Sequence, residues 1–268
     1  MELDINYKFT WENYQKNIVD YFSYIWEEKS LGPTNHERRS VEGELGKFLP
    51  NSLRLIFPAF IFSVFFGILK GIFDYRNKNK KKNVIGNGLT FFLQSVPDFF
   101  LIIGIQWIIL MILSMPLYTF DEGQWYGFLL PSLLISMYPM MYLERITSSA
   151  LANEDGNYYV LVAKAKGFPE KIVIYRHILR NSLQSILSHL GTIMLLIITG
   201  LIMVENLSAY DGIGSRLITA FSFNELFSMG SYSQFEPAMV IGIGVCFLLI
   251  VLVSQVIGLL LKKCFRLP

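Results

Sequence analysis

The sequence predicts an all-α, polytopic membrane fold with about five transmembrane helices and one helix, turn, helix elbow between the third and the fourth. Three observations lead there. Of 268 residues, 53% are hydrophobic and 16% charged, and the apolar residues fall in long runs that a soluble core of this length cannot hide. Five runs reach the roughly 20 residues that a helix needs to cross a bilayer core. The Lys and Arg residues collect beside the apolar runs instead of forming one basic face, and the net charge of +2 is too small to suggest nucleic acid.

Residues 1–50 come first. Met1 to Lys47 is mixed and polar, without the continuous apolar stretch of a signal peptide, and 1–50 reads as an extracytoplasmic segment preceding a transmembrane domain over 51–268. The predicted spans are Ser52 to Phe73, Leu89 to Ser114, Gly127 to Thr147, Leu187 to Val204 and Pro237 to Leu261. Open strands would leave backbone groups without partners at this depth, so the spans are helices. Gly67 and Gly71, four apart on the first span, permit close helix packing.

Flanking charge gives the orientation. Lys70, Arg76, Lys78, Lys80, Lys81 and Lys82 lie between spans one and two, and Lys262, Lys263 and Arg266 follow span five. The stretch between spans three and four carries Arg145, Lys164, Lys166, Lys171, Arg176 and Arg180. Basic flanks mark the cytoplasmic side, which puts the C-terminus inside and, with an odd number of spans, the N-terminus outside. The opposite loops, Met115 to Tyr126 and Asn206 to Glu236, hold Asp121, Glu122, Asp211 and Glu225 against Arg216 alone. A leading tail with Lys29, Arg38, Arg39 and Lys47 must then cross without a preceding span, so an upstream segment or a translocating factor is expected.

The stretch from about residue 148 to 186 is the most informative. Asn157 can cap a short helix with Tyr159, Val162, Ala163 and Lys166 on one face, and Gly167 can supply the left-handed residue that ends it. Pro169 suits the first turn of a second helix, and Glu170 suits its positive end. Small residues Ala163 and Ala165 let a partner's backbone approach. A basic amphipathic stretch lying on anionic lipid would need no more than Lys164, Lys166, Lys171, Arg176 and Arg180. The ordered combination of small residues, glycine turn and Arg-His pair favours a coupling joint instead.

Those residues resemble the cytoplasmic EAA loop of ABC-importer permeases, most closely in its oligopeptide and dipeptide form. The matching positions are Tyr159, Val160, Ala163, Lys164, Ala165, Lys166, Gly167, Arg176, His177, Leu179, Arg180 and Asn181, with Leu161 and Val162 where the family usually has Arg and Thr. Leu130-Pro131, Arg145, and Glu205 followed by Tyr210-Asp211-Gly212-Ile213-Gly214 are similar to the B-type subunit of such transporters. So are Tyr21 to Tyr24, Ser30 to Gly32 and Pro50 to Leu53, which resemble the segment joining the family's first two spans. The family's usual first span has no counterpart here, and the loop from Phe221 to Glu236 looks longer.

The resemblance implies a type I importer fold in a bacterial plasma membrane and half of a translocation pathway for peptides. It implies a second homologous permease, two cytoplasmic ATPase subunits that bind ATP and Mg, and an extracellular binding protein as partners, besides membrane lipid. Related systems carry nickel or metal chelates, and a non-transporting structural or regulatory subunit is a further alternative. This chain itself is expected to hold no cofactor or metal.

Other residues have competing readings. Asp98, after Pro97 within the second span, either lines the substrate route with Gln94 one turn earlier or caps a helix restarted after a proline kink. Glu205, with Gly212 and Gly214, is a candidate for an outer gate, but simple placement at the outer interface is the favoured reading. His177, His189 and His36 read as structural hydrogen-bonding residues, since no second histidine lies at helical spacing. Cys246 and Cys264 suit neither a disulfide nor a metal cage. No phosphate-binding glycine loop, paired carboxylates or nucleophile beside a base supports an enzyme.

Overall fold

A computed structural model describes residues 10–34, 40–78, 83–113, 127–221 and 235–265. Several predicted features lie outside these: His36, Arg38 and Arg39, the run Lys80 to Lys82, Asp121 and Glu122, Glu225, and Arg266. The described residues form helices α1 (Trp11–Glu28), α2 (Val41–Arg76), α3 (Asn83–Ser95), α4 (Asp98–Leu113), α5 (Leu129–Asp155) and α6 (Tyr158–Ala165). They continue with α7 (Glu170–Ile172), α8 (Leu179–Leu187), α9 (Leu190–Leu207), α10 (Ile213–Ala220) and α11 (Pro237–Phe265). A π-helical segment, Val173–Ile178, joins α7 to α8, so the chain runs as one helical rod from Glu170 to Leu187. The extended pairing among the described residues is a single bridge between Pro33 and Ser40.

The predicted spans correspond to α2, α3 with α4, α5, α9 and α11. Of these, α2, α9 and α11 are long and apolar enough to cross a bilayer. The second predicted span is not one rod: α3 ends at Ser95 and α4 starts at Asp98. Pro97 has no N–H for the helical ladder, and the residue before a proline disfavours helical geometry. The first span begins eleven residues earlier than the apolar run, because Ser40 caps α2 by accepting from the Gly43 N–H at 3.3 Å, and Glu42 and Glu44 favour its positive end. Residue 50, read as the end of a separate segment, therefore lies inside α2.

The core sits where α2 packs on α5, the most extensive helix pair among the described residues, with α9 against both. Gly67 and Gly71 set that seam. A Cβ on Gly67 would fall 2.9 Å from the Met140 carbonyl oxygen, and one on Gly71 would fall 2.5 Å from Thr147 Cβ. No side chain fits there, so the two backbones lie in direct contact. Apolar side chains Leu55, Ile135, Leu143, Ile193, Ile197 and Leu201 fill the rest. Along α11, Leu248, Leu252, Val253, Leu259 and Leu260 are exposed, as lipid-facing residues would be.

Candidate functional site

The elbow is built as a compact joint on the end of α5. After Asp155, α6 begins at Tyr158 and ends in a Schellman motif: Phe168 N–H bonds the Ala163 carbonyl at 3.4 Å, and Gly167 N–H bonds the Lys164 carbonyl at 3.0 Å. Gly167 has φ +77°, the left-handed conformation expected of it, and the space around it is open. Pro169 stands one position before the second helix, in extended conformation, and Glu170 is its first residue. Asn157 occupies the position before α6, but its side chain donates to Glu154 Oε2 at 2.7 Å instead of capping the helix.

Two faces of α6 behave differently. Val160 and Ala163 are buried with Ile72, Leu151, Val173, Ile174 and Ile178, which anchors the elbow to α2 and α5. The expected face of Tyr159, Val162, Ala163 and Lys166 is thus not the packed one, since Val162 and Lys166 are exposed and Tyr159 is half-buried. Tyr159 donates to Glu154 Oε2 at 2.5 Å, and burial, followed by the Glu154 carboxylate, raises its pKa above the ordinary tyrosine value. Lys164 pairs with Asp155 at 2.7 Å. Ala165, Lys166 and Arg176 are exposed, while His177 is half-buried with its ring 6.1 Å from that of Phe168. Among these cations the outward surface carries exposed apolar groups: Tyr158 is 87% exposed, and Leu161, Val162, Phe168, Ile172 and Tyr175 accompany it.

Gln94 and Asp98 stand on different helices, because the helix break at Pro97 separates them. Gln94 donates to the Met141 carbonyl at 2.9 Å and accepts from Arg145 Nη1 at 3.2 Å, which ties α3 to α5. Asp98 opens α4 and accepts from the Phe99 N–H at 2.9 Å, a local bond of the restarted helix.

At the opposite end, Glu205 departs from the interface placement expected of it. It is fully buried and accepts from Ser52 Oγ at 2.6 Å, from the Gly214 N–H at 2.7 Å and from the Ser215 N–H at 3.1 Å. The carboxylate thus sits on the N-terminus of α10, where free N–H groups and the helix dipole favour negative charge. Gly212 and Gly214 belong to the same cradle: a Cβ would fall 2.1 Å from Glu205 Oε1 at Gly212 and 2.8 Å from Glu205 Oε2 at Gly214. Beside it, buried Arg216 donates from Nε to Glu44 Oε2 and from Nη2 to Glu236 Oε2, both at 2.6 Å.

Sequence reasoning missed two groupings. Glu44, Arg216 and Glu236 carry no local signal, since Arg216 and Glu44 stand 172 positions apart. Lys70, read as one of a flanking basic set, instead lies 2.7 Å from Asp74 Oδ2 and 3.3 Å from Glu144 Oε2. Its i,i+4 spacing to Asp74 was a signal that could have found the first of those contacts. His189 Nδ1 lies 3.0 Å from the Tyr142 hydroxyl. No cluster of three potential metal ligands occurs among the described residues.

An all-α fold with, among the described residues, three helices long and apolar enough to cross a bilayer, and an elbow between α5 and α9, defines the class as a polytopic membrane protein. Residues 63–266 match the family of binding-protein-dependent transport system inner membrane components, and the chain belongs to that family. It is 32% identical over 173 residues to the dipeptide transport system permease protein DppB of Lactococcus lactis subsp. cremoris, covering 63% of this chain and 56% of that one. It is 26% identical over 209 residues to the oligopeptide permease OppB of Escherichia coli, covering 75% and 67%, and 27% identical over 224 residues to DppB of Bacillus subtilis, covering 77% and 71%. Among solved structures, a chain of the MetNI methionine ABC transporter in an inward-facing conformation has the same fold, with TM-score 0.62, 14% identity, and coverage of 83% of this chain and 96% of that one. An amino acid ABC transporter with histidines gives TM-score 0.55 at 14% identity, with coverage of 91% and 98%.

Proposed function

We propose that this chain is the peptide-conducting permease of an ATP-driven importer. It forms half of the pathway with a second homologous permease, receives cargo from an extracellular binding protein, and is driven by two cytoplasmic ATPase subunits that hold ATP and Mg. The observation that carries this reading is the elbow, an apolar surface presented on a rigid, glycine-terminated joint. Contiguous exposed apolar area on a membrane subunit marks a docking face. Tyr158, Leu161 and Val162 supply that face on α6.

Mechanically, Val160 and Ala163 root the elbow to α2 and α5, so a force on α6 is passed to those helices as rods. ATP binding and hydrolysis alter how the ATPase pair holds the two elbows of the permease pair, and only a difference in that contact energy shifts the pathway between its two openings. With the elbow on the cytoplasmic side, the Glu205 cradle lies on the outer side, next to the binding protein, and locks α10 over that end.

Gly167→Val tests the reading. A β-branched residue at φ +77° is strained. The variant is expected to insert normally and to lose peptide uptake and substrate-stimulated ATP hydrolysis in the assembled importer. Full uptake in that variant contradicts the coupling role.

A further inference from the structure

Between α2, α3 and the last turns of α5 lies a cavity of about 530 Å³, within the size range of small-ligand sites. Its lining includes Asp74 and Glu144, each 2% exposed. Lys70 Nζ is 2.7 Å from Asp74 Oδ2 and 3.3 Å from Glu144 Oε2, and it donates to Thr90 Oγ1 at 2.6 Å. Two buried carboxylates thus share one ammonium group. Asp74 Oδ1 and Glu144 Oε2 have no hydrogen-bond donor, though Glu144 keeps its ionic contact to Lys70. A buried carboxylate without full compensation is costly, so the surplus negative charge calls for a proton or for a cationic group from outside the chain.

The rest of the lining has the opposite character. Arg145 is exposed, is held by Gln94 Oε1 at 3.2 Å, and has no carboxylate partner among the described residues. Lys78 adds positive charge, Ser149 is a neutral polar group, and Phe91 an apolar surface. Negative charge is therefore buried in this cavity and positive charge is exposed, the arrangement a zwitterion would meet.

We propose that this cavity binds a short peptide in its zwitterionic form, with the free amino terminus at Asp74 and Glu144 and the carboxylate at Arg145. The assignment deepens the peptide reading above and rests on it. It makes the permease itself a reader of peptide termini, at a place on the elbow side of the chain. The cluster at Arg216, at the other end of the chain, also sets two carboxylates on one cation, but there each carboxylate accepts a hydrogen bond from the guanidinium.

The test uses the full importer purified with its partner subunits, carrying Ser149→Cys in a background of Cys246→Ser and Cys264→Ser. The rate of alkylation by N-ethylmaleimide is measured with dialanine, with N-acetyl-dialanine, and with neither. Dialanine is expected to slow alkylation several-fold and the acetylated peptide to have little effect. In Asp74→Asn, where Lys70 still has Glu144 as a partner and the charges balance, the preference for the free amine is expected to vanish. In Arg145→Gln, dialanine and its C-terminal amide are expected to protect equally. Absence of protection, or equal protection by the free and acetylated peptides in the parent protein, overturns the proposal and leaves the surplus charge to a proton. Peptide uptake by the parent importer in proteoliposomes separates the two failures: uptake without protection removes this site alone, whereas no uptake of any peptide removes the peptide reading as well.

Discussion

The two ends of the chain use their side chains in opposite ways. At the Glu205 end, charged groups are buried and hydrogen-bonded within the chain: Glu205 accepts from three donors, and Arg216 donates to Glu44 and Glu236. At the elbow end, an apolar cluster and the Tyr159–Glu154 and Lys164–Asp155 contacts anchor the joint, while Tyr158, Leu161 and Val162 and the cations Lys166 and Arg176 are exposed. One end is organised to hold its own shape, and the other leaves its binding capacity unspent. A substitution at the first should cost stability, and one at the second should cost assembly.

The largest expected effect is at Arg216. Arg216→Met strands Glu44 and Glu236 as buried carboxylates, and removal of one partner of a buried ion pair typically costs about 3–5 kcal/mol. The apparent unfolding midpoint of the purified chain should fall accordingly. An unchanged midpoint would mean that this end is not held by its ions. A smaller loss is expected from Gly71→Ala, which forces α2 and α5 apart near Thr147 at a cost of about 1–3 kcal/mol for overpacking. That variant sharpens the contrast, because the seam joins the two ends and its loosening should lower both stability and substrate-stimulated ATP hydrolysis. Smallest in stability is Tyr158→Ala, a change at an exposed position expected to stay within about 0.5 kcal/mol. Its effect should appear instead as weaker retention of the ATPase subunits on purification. Loss of stability without loss of retention would reverse the comparison.

The sequence made some of this legible. Apolar runs located α2, α9 and α11, since lipid demands unbroken helix of a set length. Gly167 and Pro97 were visible because each has a backbone consequence that needs no partner: a left-handed turn at one, a broken ladder at the other. The Schellman closure of α6 is likewise local. What stayed hidden is long-range. Glu205 stands at the end of an apolar run, where a carboxylate normally meets water, and only the fold brings Ser52 from 153 positions away to meet it. Which face of α6 packs inward was hidden for the same reason, because Val160 and Val162 are chemically alike and only the position of α2 and α5 decides between them. The helix α1 carries aromatic residues without a long apolar run, so hydropathy gave it no weight.

The elbow can be examined directly by placing one cysteine at Leu161, with Cys246 and Cys264 changed to serine, and following its alkylation in the membrane before and after the ATPase subunits are added. An outward elbow that seats in an ATPase cleft predicts rapid labelling in the permease alone and strong protection in the complex, changing again when nucleotide is bound. Equal labelling in all three states would contradict it.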